Sequence, residues 1–178
     1  DEEASIISSL KDILEQNNIL CNIMEHNIVT SIADKFYLNK NINEANPNYT
    51  VKCVRVNNNI DFRKACIAMG YPSKKIVLKP RIGRGRRSTY IISEDNFEDK
   101  IKDIIPHIKM EDVIKRNVIP DNNMMVMEYV EGEPITIDVL GSKGKIIHTT
   151  IRKWNEKWRF PFPGQKIIAK LNHIFLYI

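Results

Sequence analysis

At 178 residues with 43% apolar side chains, the chain is long enough for one ordinary domain, or two small lobes, around a real hydrophobic core. No apolar run approaches the length of a membrane span, and the opening Asp1, Glu2 and Glu3 lack the basic-then-apolar character of a leader, so a soluble, non-secreted protein is expected. The net charge of +5 is segregated: residues 74–87 carry seven basic side chains and no acid, residues 139–178 eight basic and one acid, Glu156, and the remainder is acidic. A polynucleotide binder shows such a pattern, but the arginine-rich turn has no interleaved aromatics, and neither helix-turn-helix nor zinc spacing occurs. Cys21, Cys53 and Cys66 are odd in number and lack metal or redox spacing, which predicts reduced thiols, small core residues of a cytosolic protein. His26, His107, His148 and His173 are scattered, and no metal ligand is assigned among them.

In chain order, Ile6, Leu10, Ile13 and Leu14 recur at helical spacing and predict a helix over Ser5–Gln16, stopped by Asn17-Asn18. A second helix is expected over Ile28–Lys40, then a loop over Asn41–Asn48. Thr50–Val56 reads as a strand and Ile60–Met69 as a helix closed by Gly70. Ile76, Val77 and Leu78 are strand formers, Pro80 is expected to stop the ladder, and Ser88–Ile92 resumes a strand. The turn between them holds Gly83, Gly85, Arg81, Arg84, Arg86 and Arg87, with Lys79 at the end of the incoming strand. Glycines let a backbone approach a ligand closely, and its N–H groups beside cations suit phosphate oxygens. Glu94–Ile105 reads as a helix with an acidic first turn, ended by Pro106. An apolar strand from Met124 to Met127 then runs into Glu128, Tyr129 and Val130. After a turn at Glu131-Gly132, Ile135, Ile137 and Val139 alternate with Thr136 and Asp138, implying one buried and one wet face. Gly141 to Gly144 signals a tight turn, with Lys145–Ile151 as the returning strand. Two tryptophans, Trp154 and Trp158, read as packing anchors beside Pro161. The order is that of an α+β chain: a mixed lobe, then an antiparallel meander.

Several of these segments form an ordered series. Asp34-Lys35, then Gly70-Tyr71-Pro72 followed by Ile76–Pro80, then Met127-Glu128-Tyr129-Val130 with Gly132, Glu133 and Asp138, resemble the motifs of ATP-grasp proteins, in particular the branch of carbamoyl-phosphate synthase large chains and related carboxylate-amine ligases. The resemblance runs from about Asp34 to Arg159. It implies an ATP-binding cleft whose halves are residues 76–92 and 124–140. It further implies that Lys35 and Lys79 contact ATP phosphates, that Gly83, Gly85, Arg86 and Ser88 belong to a flap over them, and that Glu128 with the backbone at Tyr129 and Val130 binds adenine. Glu133 is the ribose candidate, although the family often carries that glutamate where this chain has Pro134. Arg152 is the candidate for touching the γ-phosphate or the acceptor. The implied organisation is residues 1–39 as the end of a preceding nucleotide-fold domain with a connecting helix, 40–123 as the N-terminal lobe with the flap, and 124–178 as the start of an incomplete antiparallel C-terminal lobe.

The implied chemistry is phosphoryl transfer from ATP, with Mg²⁺ in the complete family member, to a small carboxylate, then attack by an amine on the acyl phosphate. Such transfer needs positioned cations more than a protein nucleophile, and no serine, cysteine or histidine here has the partners of a triad. Beyond Asp138 the chain offers one carboxylate, Glu156, as a metal ligand, so a truncated chain without turnover of its own is expected. A nucleotide-binding module without turnover and a nucleic-acid binder are the alternatives. A kinase is excluded because Gly83 and Gly85 follow Lys79, and a Walker loop because no Gly-Lys-Ser/Thr occurs.

Overall fold

The computed structural model describes residues 2–83, 88–94, 105–119, 123–132, 135–142, 144–154 and 165–169, with side chains for all of these but 2, 153–154 and 165–169. The chain divides into two compact units, Asp1–Tyr129 and Val130–Ile178.

The first unit runs α1 (Glu2–Ser9), α2 (Lys11–Gln16), α3 (His26–Ala33), α4 (Lys35–Ala45), a 3-10 turn (Pro47–Tyr49), β1 (Cys53–Val56), α5 (Asn59–Ala68), β2 (Ile76–Pro80), β3 (Tyr90–Ile92), β4 (His107–Ile108), α6 (Met110–Lys115) and β5 (Met124–Glu128). Its five strands lie in the order β1-β5-β2-β3-β4, antiparallel except for the parallel β3–β4 pair. Successive side chains alternate between sheet faces, so one face carries Val56, Ile76, Leu78, Ile92, Met124 and Val126 into a core with Phe62, Ala65 and Cys66 of α5 and Met110 and Val113 of α6. The other face carries Lys79 in register with Met125, and Val77 with Met127 and Ile91.

Local chemistry explains α5 well. Its Asn58 cap accepts from the N–H groups of Ile60 and Asp61, each at 2.9 Å, and Gly70 leaves the helix at φ +101, a conformation that suits glycine. A Cβ at Gly70 would also press to 3.1 Å of the Lys74 side chain. Replacing the cap, Asn58→Ala, is expected to cost about 1 kcal/mol, read from the urea midpoint at unchanged slope.

Elsewhere the boundaries differ from expectation. The helix expected over Ser5–Gln16 is two, broken at Leu10, where the Ser8 and Ser9 hydroxyls donate back to Ser5 O and Ile6 O and compete with the helical ladder. The second expected helix is also two: Asp34 is extended and caps α4, whose last turn covers Asn41–Ala45, expected as loop. The strand expected from Thr50 begins at Cys53, and that expected from Ser88 begins at Tyr90, because Ser88 sits at φ +53. Pro80 ends the ladder as expected, holding its last register position opposite Met124, a strand end where its missing N–H costs little. The short elements β4 and α6 were not anticipated, having too few residues for periodicity to register. The helix expected over Glu94–Ile105 falls on residues 95–104, outside the described ones, as do Arg84, Arg87, Glu156 and Trp158.

The second unit is an antiparallel sheet, β6 (Ile135–Ser142), β7 (Lys145–Trp154) and β8 (Gln165–Ala169), in that order, with a bulge at Leu140/Gly141. The meander was expected; its buried face was not observed. Ile135, Ile137 and Val139 are 54%, 44% and 38% exposed. No helix among the described residues is long and apolar enough to cross a membrane.

Candidate functional site

Two lysines from distant parts of the first unit are brought to one turn: Lys79 stands two residues before it, on the face of the sheet opposite the α5 core, and Lys35 reaches its carbonyls. Lys79 is held at the end of β2, its neighbour in register the fully buried Met125. Lys35 opens α4, and its ammonium donates to Gly83 O at 2.7 Å and to Arg81 O at 3.3 Å. Both are half-buried. Burial pushes the Lys79 pKa below the ordinary 10.5, and the nearby Lys35 ammonium pushes it further down, against a small opposing effect of Cys53. Burial likewise lowers Lys35, with Asp34 partly opposing it. Asp34 is already engaged by Arg81, and among the described residues no carboxylate forms an ion pair with either lysine. Two half-desolvated cations that repel one another without an acid between them form a site that an anion improves.

The turn that follows β2 is tied down at its near end. Arg81 N–H donates to Asn123 O at 2.6 Å, and Ile82 N–H to Asn123 Oδ1 at 3.3 Å, joining the turn to the entry of β5. Gly83 has φ +143, a region other residues rarely enter. Arg81, expected at the tip of the turn among the phosphate cations, is instead buried against Asp34: its fork points back into the fold, between the carboxylate and the rings of Tyr37 and Phe36, 5.4 and 6.0 Å away. Gly85 and Arg86 lie outside the described residues, and so does Glu133.

Because β5 lies beside β2, Glu128 ends up on the same sheet as Lys79, opposite Ile76, and Tyr129 follows directly after the strand. The Glu128 Oε1 accepts from the Lys52 backbone N–H at 3.1 Å, while Glu128 N–H donates to Lys52 O, so this carboxylate clasps the strand that leads into β1. The Lys75 ammonium lies 5.7 Å from the Tyr129 ring centroid.

No protein-family model matches the sequence, and no curated protein matches it. Solved structures do resemble the fold. A D-alanine–D-alanine ligase from Bacillus anthracis superposes with a TM-score of 0.53 at 14% identity, over 91% of this chain and 48% of the ligase. The ATP-grasp ligase PsnB, solved with a minimal precursor, superposes with a TM-score of 0.55 at 13% identity, over 97% of this chain and 48% of that one. The fold is of the ATP-grasp type. This chain spans about half the length of the structures it matches.

Of the remaining expected residues, Val130 is exposed at the start of the second unit. Arg152 stands on β7 with its guanidinium gripping Asp138 of β6 at two points, one of them Nη2 to Oδ1 at 2.5 Å. That hydrogen bond, ahead of the carboxylate's charge, raises the Arg152 pKa. Among the described residues no three His, Cys, Asp or Glu side chains converge. All three cysteines are free; Cys66 lies in the core with its pKa pushed up to about 12 by burial, and Cys53 accepts from Asn39 Nδ2 at 3.0 Å beside Lys79. Sequence reasoning missed Arg81 as a partner of Asp34. A buried arginine 47 positions from its acid leaves no mark in local spacing.

Proposed function

We propose that the first unit binds ATP through Lys35 and Lys79, as the nucleotide-holding part of a cytosolic ATP-dependent carboxylate-amine ligase of the carbamoyl-phosphate synthase kind, working through an acyl phosphate. The observation that carries this reading is the Lys35 ammonium seated on Arg81 O and Gly83 O, in the turn that Lys79 leads into, with no carboxylate among the described residues paired to either lysine. The ligases named in the two similar structures support the reaction class, and their ATP-grasp-type fold supports the nucleotide. ATP supplies the phosphoryl group; the chain's own part is to hold the phosphates with two ammonium groups and to leave the turn at Gly83 free of a Cβ at positive φ. Tyr129 and Val130 offer backbone for adenine at the end of β5, with Glu128 anchoring that strand rather than facing a base freely. Arg152 is kept as the candidate for the γ-phosphate or acceptor, and a phosphate there competes with Asp138 for the guanidinium.

The test is a calorimetric titration of the chain with ATP, adenosine and inorganic triphosphate. ATP is expected to bind with Kd of about 0.1–1 mM, triphosphate to compete with it, and adenosine alone to bind far more weakly. Equal binding of adenosine and ATP would remove the phosphate site. Phosphate binding needs protonated lysine, so affinity holds at neutral pH and falls as pH rises through the lowered Lys79 pKa, before the 10.5 of an ordinary lysine. A profile that turns only at the ordinary value contradicts the assignment.

A further inference from the structure

Asp34 and Arg81 are 5% and 8% exposed, a buried ion pair next to the two lysines yet not part of them. Removing two charges from water costs about as much as their attraction returns, so such a pair explains little stability; its best-attested use is to fix one arrangement over others. What it fixes is visible in the bonds around it. The Asp34 carboxylate accepts from Arg81 and from the N–H groups of Phe36 at 3.0 Å and Tyr37 at 3.4 Å, which starts α4. The Arg81 carbonyl accepts from Lys35 N–H at 3.0 Å and from the Lys35 ammonium. The N-terminus of α4 and the turn after β2 are thereby locked at both side chain and backbone. An arginine fork lying over two rings holds this geometry in a way a flexible ammonium does not.

The geometry points to the Asp34–Arg81 pair as a positioning device for nucleotide binding: without touching phosphate, it docks α4 on the turn after β2 and so seats the Lys35 ammonium on Arg81 O and Gly83 O, in the turn that Lys79 leads into. Its effect on affinity rests on the ATP-binding reading, whereas its effect on Lys35 does not.

Two variants test it. Asp34→Asn removes the charge and keeps a good helix cap, and the double variant Asp34→Asn, Arg81→Met leaves no buried charge without a partner. The readouts are ATP affinity by calorimetry and the titration of the Lys79 ammonium by carbon-13 NMR of lysine-labelled protein, assigned with Lys79→Arg. In both variants ATP affinity is expected to fall roughly tenfold, the loss of one charge-assisted contact, and Lys79 to titrate closer to 10.5 as the Lys35 charge moves away. A merely structural pair would not move Lys79 in a double variant that melts like the wild type. Unchanged affinity and unchanged Lys79 titration in that double variant overturn the proposal, even where Lys79→Ala abolishes binding. If wild-type protein binds no ATP, the ATP reading fails, and the Lys79 titration alone then supports or overturns the positioning role. Should Asp34→Asn fail to fold, the double variant decides.

Discussion

A Lys79→Ala chain is expected to lose ATP affinity by roughly 10- to 150-fold, the equivalent of one charge-assisted hydrogen bond, while its melting temperature holds or rises. The two effects separate because the ammonium is a liability in the free protein: burial disfavours its charge, and Lys35 adds repulsion. Alanine removes that unfavourable contribution, at the expense of some alkyl packing beside Met125. The linkage has the corresponding sign. A lysine whose folded pKa lies below its unfolded value lowers stability at neutral pH, and this penalty is relieved as pH rises from the folded value toward 10.5. Parallel calorimetry and thermal melts of wild type and variant check both halves. Equal losses in affinity and melting temperature would make Lys79 a structural residue and leave the nucleotide site without its centre.

Breaking the buried pair from the other side has the larger effect on stability. Arg81→Met is expected to destabilise the first unit by about 3–5 kcal/mol, because it leaves the Asp34 carboxylate buried without a countercharge. Adding Asp34→Asn should recover most of that loss, since a neutral amide caps α4 nearly as well and no charge remains stranded. Urea melts of the single and double variants make the comparison. The acid side carries a second check. Burial pushes the Asp34 pKa up, but the Arg81 hydrogen bond, the N–H groups of Tyr37 and Phe36 and the Arg81 charge together bring it below the ordinary 3.8. Its stabilisation is therefore full above that ordinary value and lost as pH falls through the lower folded one. In Arg81→Met the acid-side loss shrinks, because what held the pKa down has gone. A double variant as unstable as Arg81→Met would show that the stranded charge was not the cause.

What could be read without coordinates was whatever near neighbours decide. The run Ile76–Leu78 and the run Met124–Met127 are strands because β-forming or apolar side chains fill consecutive positions, and α5 is bounded by a polar cap and a glycine at positive φ. The alternation in Ile135–Val139 was enough for a strand in an antiparallel sheet, and the ordered motifs from Asp34 onward carried the fold type. Exposure of that strand's apolar side was not legible, since it depends on what lies over the sheet. Tertiary structure alone decided how the candidate residues are partnered. The strand order β1-β5-β2 sets Glu128 beside Ile76, Asp34 interrupts what periodicity reads as one helix, and the Lys35 ammonium reaches Gly83 O across 48 positions of chain. Arg81 shows the distinction most sharply: among arginines and glycines it reads as a phosphate cation, yet burial gives it Asp34 as a partner. Propensity and periodicity act over a few residues, whereas desolvation and charge pairing depend on which distant side chains the folded chain encloses together.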